Sequence, residues 1–256
     1  KENGREMTNT EAGNAGPLEC VAGEAASSLG HSAKVLPAMH AHAGYALFLD
    51  LTDRLVVVIG GGTIAQHKVE TVIPFGARIV VVSPHITDGL RELAENGALE
   101  WVPREYHEGD LKDARLVFSA CGVPSVDDAV REEALRERAL INVVDVPAKC
   151  EFIVPSTVDR GPLRIAVSTS GCAPTEAKRI RRKLENDFDE SWEPYLQLMQ
   201  SFRALVKTRI LESDEARKPV FEAATQAGWR ERLAAGENIT PEQAYAEAIE
   251  KAGVNL

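Results

Sequence analysis

Leu55-Val56-Val57-Val58-Ile59 is an unbroken aliphatic run, and Gly60-Gly61-Gly62 follows it at once. A continuous, largely β-branched run of this length is what a strand buried on both faces requires. Beyond the glycines, Ile64, Ala65, Val69, Val72 and Ile73 recur at helical spacing, interleaved with Gln66, His67, Lys68 and Glu70. Pro74 and Gly76 close that segment. Arg78 to Val82 is a second β-branched run. Strand, glycine turn, helix and strand within about 30 residues make a βαβ unit. Such a unit commits the chain to a parallel sheet with helices on its faces, because parallel neighbours need a crossover connection.

The alternation continues. Leu90 to Asn96 and Ser125 to Arg138 read as helices, the second with Ser125 as N-cap and Asp128 at the third helical position. Leu99 to Val102, Leu116 to Ala120, Leu140 to Val144 and Glu151 to Val154 read as strands. The expected class is therefore α/β, a doubly wound Rossmann sheet. After Pro155 the pattern changes. Ser156 to Arg160 and Leu163 to Ser168 read as two strands around Gly161-Pro162, and a helix begins near Pro174. From Ser191 onward everything reads as helix, with a capping box at Thr240-Pro241-Glu242-Gln243 and a stop at Gly253. Residues 1–44 lack a sustained period and read as a flexible extension, with a short helix around Glu19 to Leu29. The expected divisions are 1–44, 45–155, 156–190 and 191–256.

Charge narrows the partners. The chain has 256 residues and a formal charge of −10. An acidic surface repels phosphate backbones and anionic membrane surfaces, so neither nucleic acid nor membrane is expected. No apolar run approaches the ~18 residues of a membrane span, and Lys1 to Lys34 lacks the apolar core of a secretory signal. The four cysteines are far apart, without a Cys-x-x-Cys pair, and read as reduced thiols of a cytoplasmic protein. His40-x-His42 lacks a carboxylate or cysteine cluster to complete a ligand set, so no metal site is expected. Asn238-Ile239-Thr240 matches a glycosylation sequon, which carries no meaning in a cytoplasmic chain.

Three constellations carry chemistry. Gly60 to Ala65 fits the G-x-G-x-x-A dinucleotide fingerprint. Gly60 allows the tight turn, Gly62 lets backbone amides approach a pyrophosphate, and the helix N-terminus favours the anion. The other reading is a purely structural glycine turn. The acid usual at the end of the second strand is missing; Val82-Ser83-Pro84-His85 stands there, so spacing does not separate NAD from NADP. Asp145, in Asn142-Val143-Val144-Asp145-Val146-Pro147, falls at the end of a sheet strand, where ligands bind in open α/β sheets. It is either beside a cofactor's reactive end or a turn or N-cap aspartate. Finally, residues 156–184 carry +5 within this acidic chain, with Lys178, Arg179, Arg181, Arg182 and Lys183 on one helix. That helix is either a solvated face or a wall for a polycarboxylate ligand, with Ser168, Thr169 and Ser170 as added donors.

Together these pieces resemble the precorrin-2 dehydrogenase family, the N-terminal part of siroheme synthase. The carriers are Val58 to Ala65 with Lys68, Gly76-Ala77, Asn142 to Pro147, Phe152 to Ser156, Ile165 to Pro174 and the helix Lys178 to Glu185. The resemblance implies a Rossmann domain, a small α+β dimerisation domain and a helical C-terminal domain, assembled as a homodimer. It implies oxidation of precorrin-2 to sirohydrochlorin with NAD, and in some members iron insertion. The family's important aspartate falls on Asp145. Its cofactor contacts fall on Gly62, Thr63, Ile64, Pro84 and His85, with Ser83 beside them, and the strand end without an acid is itself similar to the family. The substrate side is expected at Ser168, Thr169, Ser170, Lys178, Arg181 and Arg182. Thr169 stands where related proteins can have serine, which keeps a hydroxyl but departs from that pattern. The methyltransferase domain fused to some members has no counterpart here. The competing readings are a dual enzyme that also inserts Fe2+ and a nucleotide-sensing Rossmann module without chemistry.

Overall fold

The computed structural model describes residues 44–254. The expected extension, its helix, Cys20 and the His40-x-His42 pair lie outside the described residues, Gly44 apart.

Five strands form one parallel sheet: β1 (Leu55–Ile59), β2 (Arg78–Val82), β3 (Glu100–Val102), β4 (Leu116–Ser119) and β5 (Leu140–Val143). Their order is β3-β2-β1-β4-β5. The chain grows outward from β1 through β2 to β3 and then returns to β1's other side at β4. The ends of β1 and β4 thus flank the switch point, where open α/β sheets bind ligands. Alternation along β1 explains the aliphatic run. Val56 and Val58 face a core shared with Ala65 and Val69 of α1 (Thr63–Val72) and Leu90 of α2 (Asp88–Glu95). Val57 and Ile59 face the opposite core, with Val130 and Ala134 of α3 (Pro124–Glu137).

A separate antiparallel hairpin follows, β6 (Ser156–Arg160) and β7 (Leu163–Val167), its turn made by Gly161 at φ +61°. The helix α4 (Pro174–Asp187) packs on it. Arg160 fastens the C-terminal end of α4, donating from Nε to the Phe188 carbonyl at 2.8 Å and from Nη2 to the Glu185 carbonyl at 3.3 Å. This is the expected way for a cation to satisfy orphan carbonyls. Four helices close the chain: α5 (Trp192–Arg209), α6 (Asp214–Thr225), α7 (Trp229–Ala234) and α8 (Pro241–Ala252). Phe202, Val206, Val220, Trp229 and Ala244 form their own core. The Thr240 capping box and the left-handed Gly253 bound α8 as the sequence predicts.

The architecture is thus the expected α/β class, with a small antiparallel unit and a helical C-terminus. Several local expectations change. Glu151 to Val154 is not a strand. It runs alongside β5 but makes only isolated bonds, Glu151 N–H to the Ile141 carbonyl at 2.9 Å and Asn142 Nδ2 to the Phe152 carbonyl at 3.0 Å. Ser125 is not a cap. Val123 is the N-cap of α3, because Pro124 takes the first helical position, where its missing N–H costs nothing. Asp128 pairs instead with Lys149 at 2.5 Å. Helix α2 starts at Asp88, two residues early, because the Thr87 hydroxyl caps it by accepting from Leu90 N–H.

Candidate active site

The glycine turn is built by contact. Gly60 has φ +113°, and a Cβ there would stand 2.6 Å from the Ala120 carbonyl oxygen. A Cβ on Gly61 would stand 2.0 Å from the His85 carbonyl oxygen. Gly62 is different: nothing lies within 4 Å of its Cβ position. It is the extended N-cap of α1 and has no side-chain cap. Among the described residues the N–H groups of Thr63, Ile64 and Ala65 have no backbone or side-chain acceptor. Two glycines close the turn and the third leaves a cradle beside a helix N-terminus, which is the shape and charge a pyrophosphate needs. Thr63 and Ile64 are exposed at that first turn.

The loop after β2 is pinned to this turn. Thr87 N–H donates to the Gly61 carbonyl at 3.0 Å, and Thr87 Oγ1 donates to Gln66 Oε1 at 2.6 Å. Ser83, expected beside the cofactor contacts, is buried and donates its own proton to the His85 carbonyl at 2.7 Å. Its role in the loop is to hold His85 against Gly61. Pro84 and His85 themselves are exposed. Neither Thr87 nor Gln66 stands out in the sequence, because their partners are distant backbone and one another.

Asp145 is exposed, two residues beyond β5 on the same edge of the sheet as the glycine turn. It has φ +60°, a left-handed conformation that Asp tolerates better than most residues. The turn is closed by Val146 N–H to the Val143 carbonyl at 3.2 Å, and the Cys150 thiol donates to the Val143 and Val146 carbonyls. The N-cap alternative is settled against: the 3₁₀ turn Pro147–Lys149 is capped by Val146, without a side-chain bond. Among the described residues the Asp145 carboxylate has no hydrogen bond or ion pair.

The basic segment is sorted by pairing. Arg179 is tied to Glu176, and Arg181 to Glu185. Lys178, Arg182 and Lys183 are exposed and carry no ion pair among the described residues. In the loop before α4, Ser168 Oγ accepts from Ser170 N–H at 3.0 Å and Thr169 Oγ1 from Ala173 N–H at 3.2 Å. Ser170 has φ +52°. The hairpin before this segment meets the sheet away from the glycine turn. Arg164 of β7 stacks 4.1 Å from the centroid of the Phe75 ring, and Phe75 precedes β2, at the opposite edge of the sheet. Among the described residues no group of three His, Cys, Asp or Glu side chains is placed to hold a metal ion, and no helix is long and apolar enough to cross a membrane.

Comparison with known proteins adds to this geometry. A family model for NAD(P)-binding domains matches residues 47–156, and the model for the sirohaem biosynthesis protein central region matches residues 160–187. The siroheme synthase of Xylella fastidiosa (strain M12) is 36% identical over 211 residues, covering 82% of this chain and 44% of that protein. The siroheme synthase of Pseudomonas paraeruginosa (strain DSM 24068 / PA7) is 36% identical over 203 residues, covering 79% and 43%. The chain is similar to siroheme synthases. It spans less than half the length of these siroheme synthases. Among solved structures, the precorrin-2 dehydrogenase SirC matches with a TM-score of 0.66 and 26% identity, covering 82% of this chain and 99% of SirC. The NAD(P)-binding match contains the glycine turn and Asp145, and the second match contains the paired and unpaired cations of α4.

Proposed function

We propose that this siroheme synthase relative dehydrogenates precorrin-2 to sirohydrochlorin with NAD. The observation that carries the reading is the open cradle at Gly62 on the same sheet edge as the exposed carboxylate of Asp145. The residues fit a dinucleotide: Gly60 and Gly61 shape the turn, and the first N–H groups of α1 would hold the pyrophosphate, with Pro84 and His85 beside the adenosine end. When bound, NAD supplies an acceptor for the two electrons and hydrogen nucleus that leave a ring-bridging carbon. Asp145 takes the proton that leaves the macrocycle, or orients the substrate through its pyrrole N–H groups. Holding both reactants in register supplies much of the rate.

The cations of α4 bind the substrate's carboxylates. Because the hairpin that carries α4 meets the sheet at Phe75, on the edge opposite the glycine turn, a second copy would bring α4 to the cofactor turn. The exposed Ile153 and Val154, in the segment before β6, supply apolar surface for that homodimer. The free thiols Cys121, Cys150 and Cys172 suit a reducing, cytoplasmic setting. The test is anaerobic incubation of the protein with precorrin-2 and NAD, followed by visible spectroscopy. Appearance of sirohydrochlorin supports the reading, and unchanged precorrin-2 removes it. Adding Fe2+ to the product then separates a dehydrogenase from an enzyme that also inserts iron.

A further inference from the structure

Asp127 is a buried acid that the proposed reaction does not use. It is 5% exposed and stands in the first turn of α3. Its Oδ1 accepts the Ser119 hydroxyl at 2.5 Å and the Cys121 thiol at 3.4 Å. Among the described residues no Lys, Arg or His pairs with it. Its charge is met by those two donors and by the positive end of α3. Burial, with the Asp127 charge adding to it, pushes the Cys121 thiol up, so the thiol stays a neutral donor.

The corner that Asp127 holds touches both halves of the candidate site. On one side, Ala120 N–H donates to the Ile59 carbonyl at 2.8 Å, and the Ala120 carbonyl is the atom that leaves no room for a Cβ on Gly60. On the other, the Ser119 carbonyl accepts Val144 N–H at 2.9 Å, one residue before Asp145. Ser119 to Cys121 is thus the piece of chain between the cofactor turn and the Asp145 turn, and one carboxylate oxygen ties it to α3. We infer that Asp127 is a positioning residue: through Ser119 and Cys121 it sets the spacing between the Gly60 turn and the Asp145 turn. This rests on the dehydrogenase reading above, since the spacing matters only if both turns serve one reaction.

The experiment compares wild type, Asp127→Ala, Asp127→Asn and Ser119→Ala for NAD Kd by fluorescence quenching, for kcat with precorrin-2, and for Tm. A misplacement of reacting groups costs about 10-fold or more in rate. Asp127→Ala is expected to lower kcat about 10-fold or more by that reasoning, with a rise in NAD Kd alongside it. Asp127→Asn keeps an oxygen that accepts from both donors and is expected to recover most of the loss. Ser119→Ala removes the shorter bond and is expected to move both readouts the same way, less far; it decides the matter if Asp127→Ala does not fold. A folded Asp127→Ala or Ser119→Ala protein with wild-type Kd and kcat, whatever its Tm, overturns the inference and leaves Asp127 a packing residue. A wild type that binds NAD but makes no sirohydrochlorin refutes the reaction and with it the spacing role, and the Kd comparison then tests only whether Asp127 holds the Gly60 turn. A wild type that binds no NAD refutes both.

Discussion

Gly61 and Gly62 are adjacent and identical in chemistry, yet the structure assigns a methyl group at each a different effect. In Gly61→Ala the new Cβ meets the His85 carbonyl oxygen at 2.0 Å and lies 2.8 Å from both Ile86 Cγ2 and Ser83 Oγ. The carbonyl belongs to backbone, so the loop after β2 must retreat by more than about 1 Å to reach ordinary contact. That strains the 3.0 Å bond from Thr87 N–H to the Gly61 carbonyl and the 2.7 Å bond from Ser83 to His85. Overpacking of this kind costs about 1–3 kcal/mol and a lost hydrogen bond about 1 kcal/mol more. The reduced unfolded-state entropy of alanine returns roughly 0.4–1 kcal/mol. A net loss of about 1–4 kcal/mol corresponds to a Tm lowered by roughly 3–12 °C at this size. In Gly62→Ala the methyl enters open space at φ −80°, so Tm is expected to stay level or rise slightly, while NAD affinity falls about 10-fold because the cradle is filled. Thermal melts and NAD titrations of the two variants make the comparison. A Gly61→Ala protein with wild-type Tm would refute the contact argument; a Gly62→Ala protein with wild-type NAD affinity would refute the cradle.

Asp145→Asn should keep NAD binding and lower kcat about 100-fold, as removal of a general base does; wild-type turnover would end the proton-acceptor role. Among the cations, Arg182→Glu should raise KM for the tetrapyrrole more than Arg181→Gln, because Arg181 already holds Glu185 whereas Arg182 has no ion pair among the described residues. Equal KM values in steady-state assays would return α4 to a solvated face. Acid stability should also respond at Glu247, held below its ordinary value of 4.5 first by the Arg232 guanidinium and also by the Trp229 indole. Its folded pKa is depressed, so its contribution is full above about pH 4.5 and is lost as pH falls through the lower folded value. Glu247→Gln should therefore flatten the acid-unfolding curve below pH ~4.5, read by tryptophan fluorescence; an unchanged curve would discount that ion pair.

What was legible in the sequence was local and periodic. The β1 run, the glycine turn, the βαβ unit, the Gly161 turn and the Thr240 capping box all signal themselves within a few residues, and each stands where it was expected. The misreadings came where tertiary neighbours decide. Glu151 to Val154 has strand-like composition, but it lies beside a strand without entering the ladder. Ser125 looks like a cap until Pro124 claims the first helical position. The duty of Ser83 depends on a carbonyl two residues away meeting a glycine over 20 residues earlier. Asp127 reads as an ordinary helical acid, and only burial beside Ser119 and Cys121 distinguishes it.

The strand order also bears on how the chain folds. β1 has β2 for one neighbour, joined through a single helix, but its other neighbour is β4, whose Leu116 pairs with Val56. Until residues 116–119 arrive, that edge of β1 has unmet hydrogen-bonding groups and aliphatic side chains on both faces. Long-range parallel pairing is slow, and such an edge invites pairing with another molecule. The strand that ends in the glycine turn is thus expected to be open to pairing with another molecule until β4 docks, and refolding yield should fall as protein concentration rises.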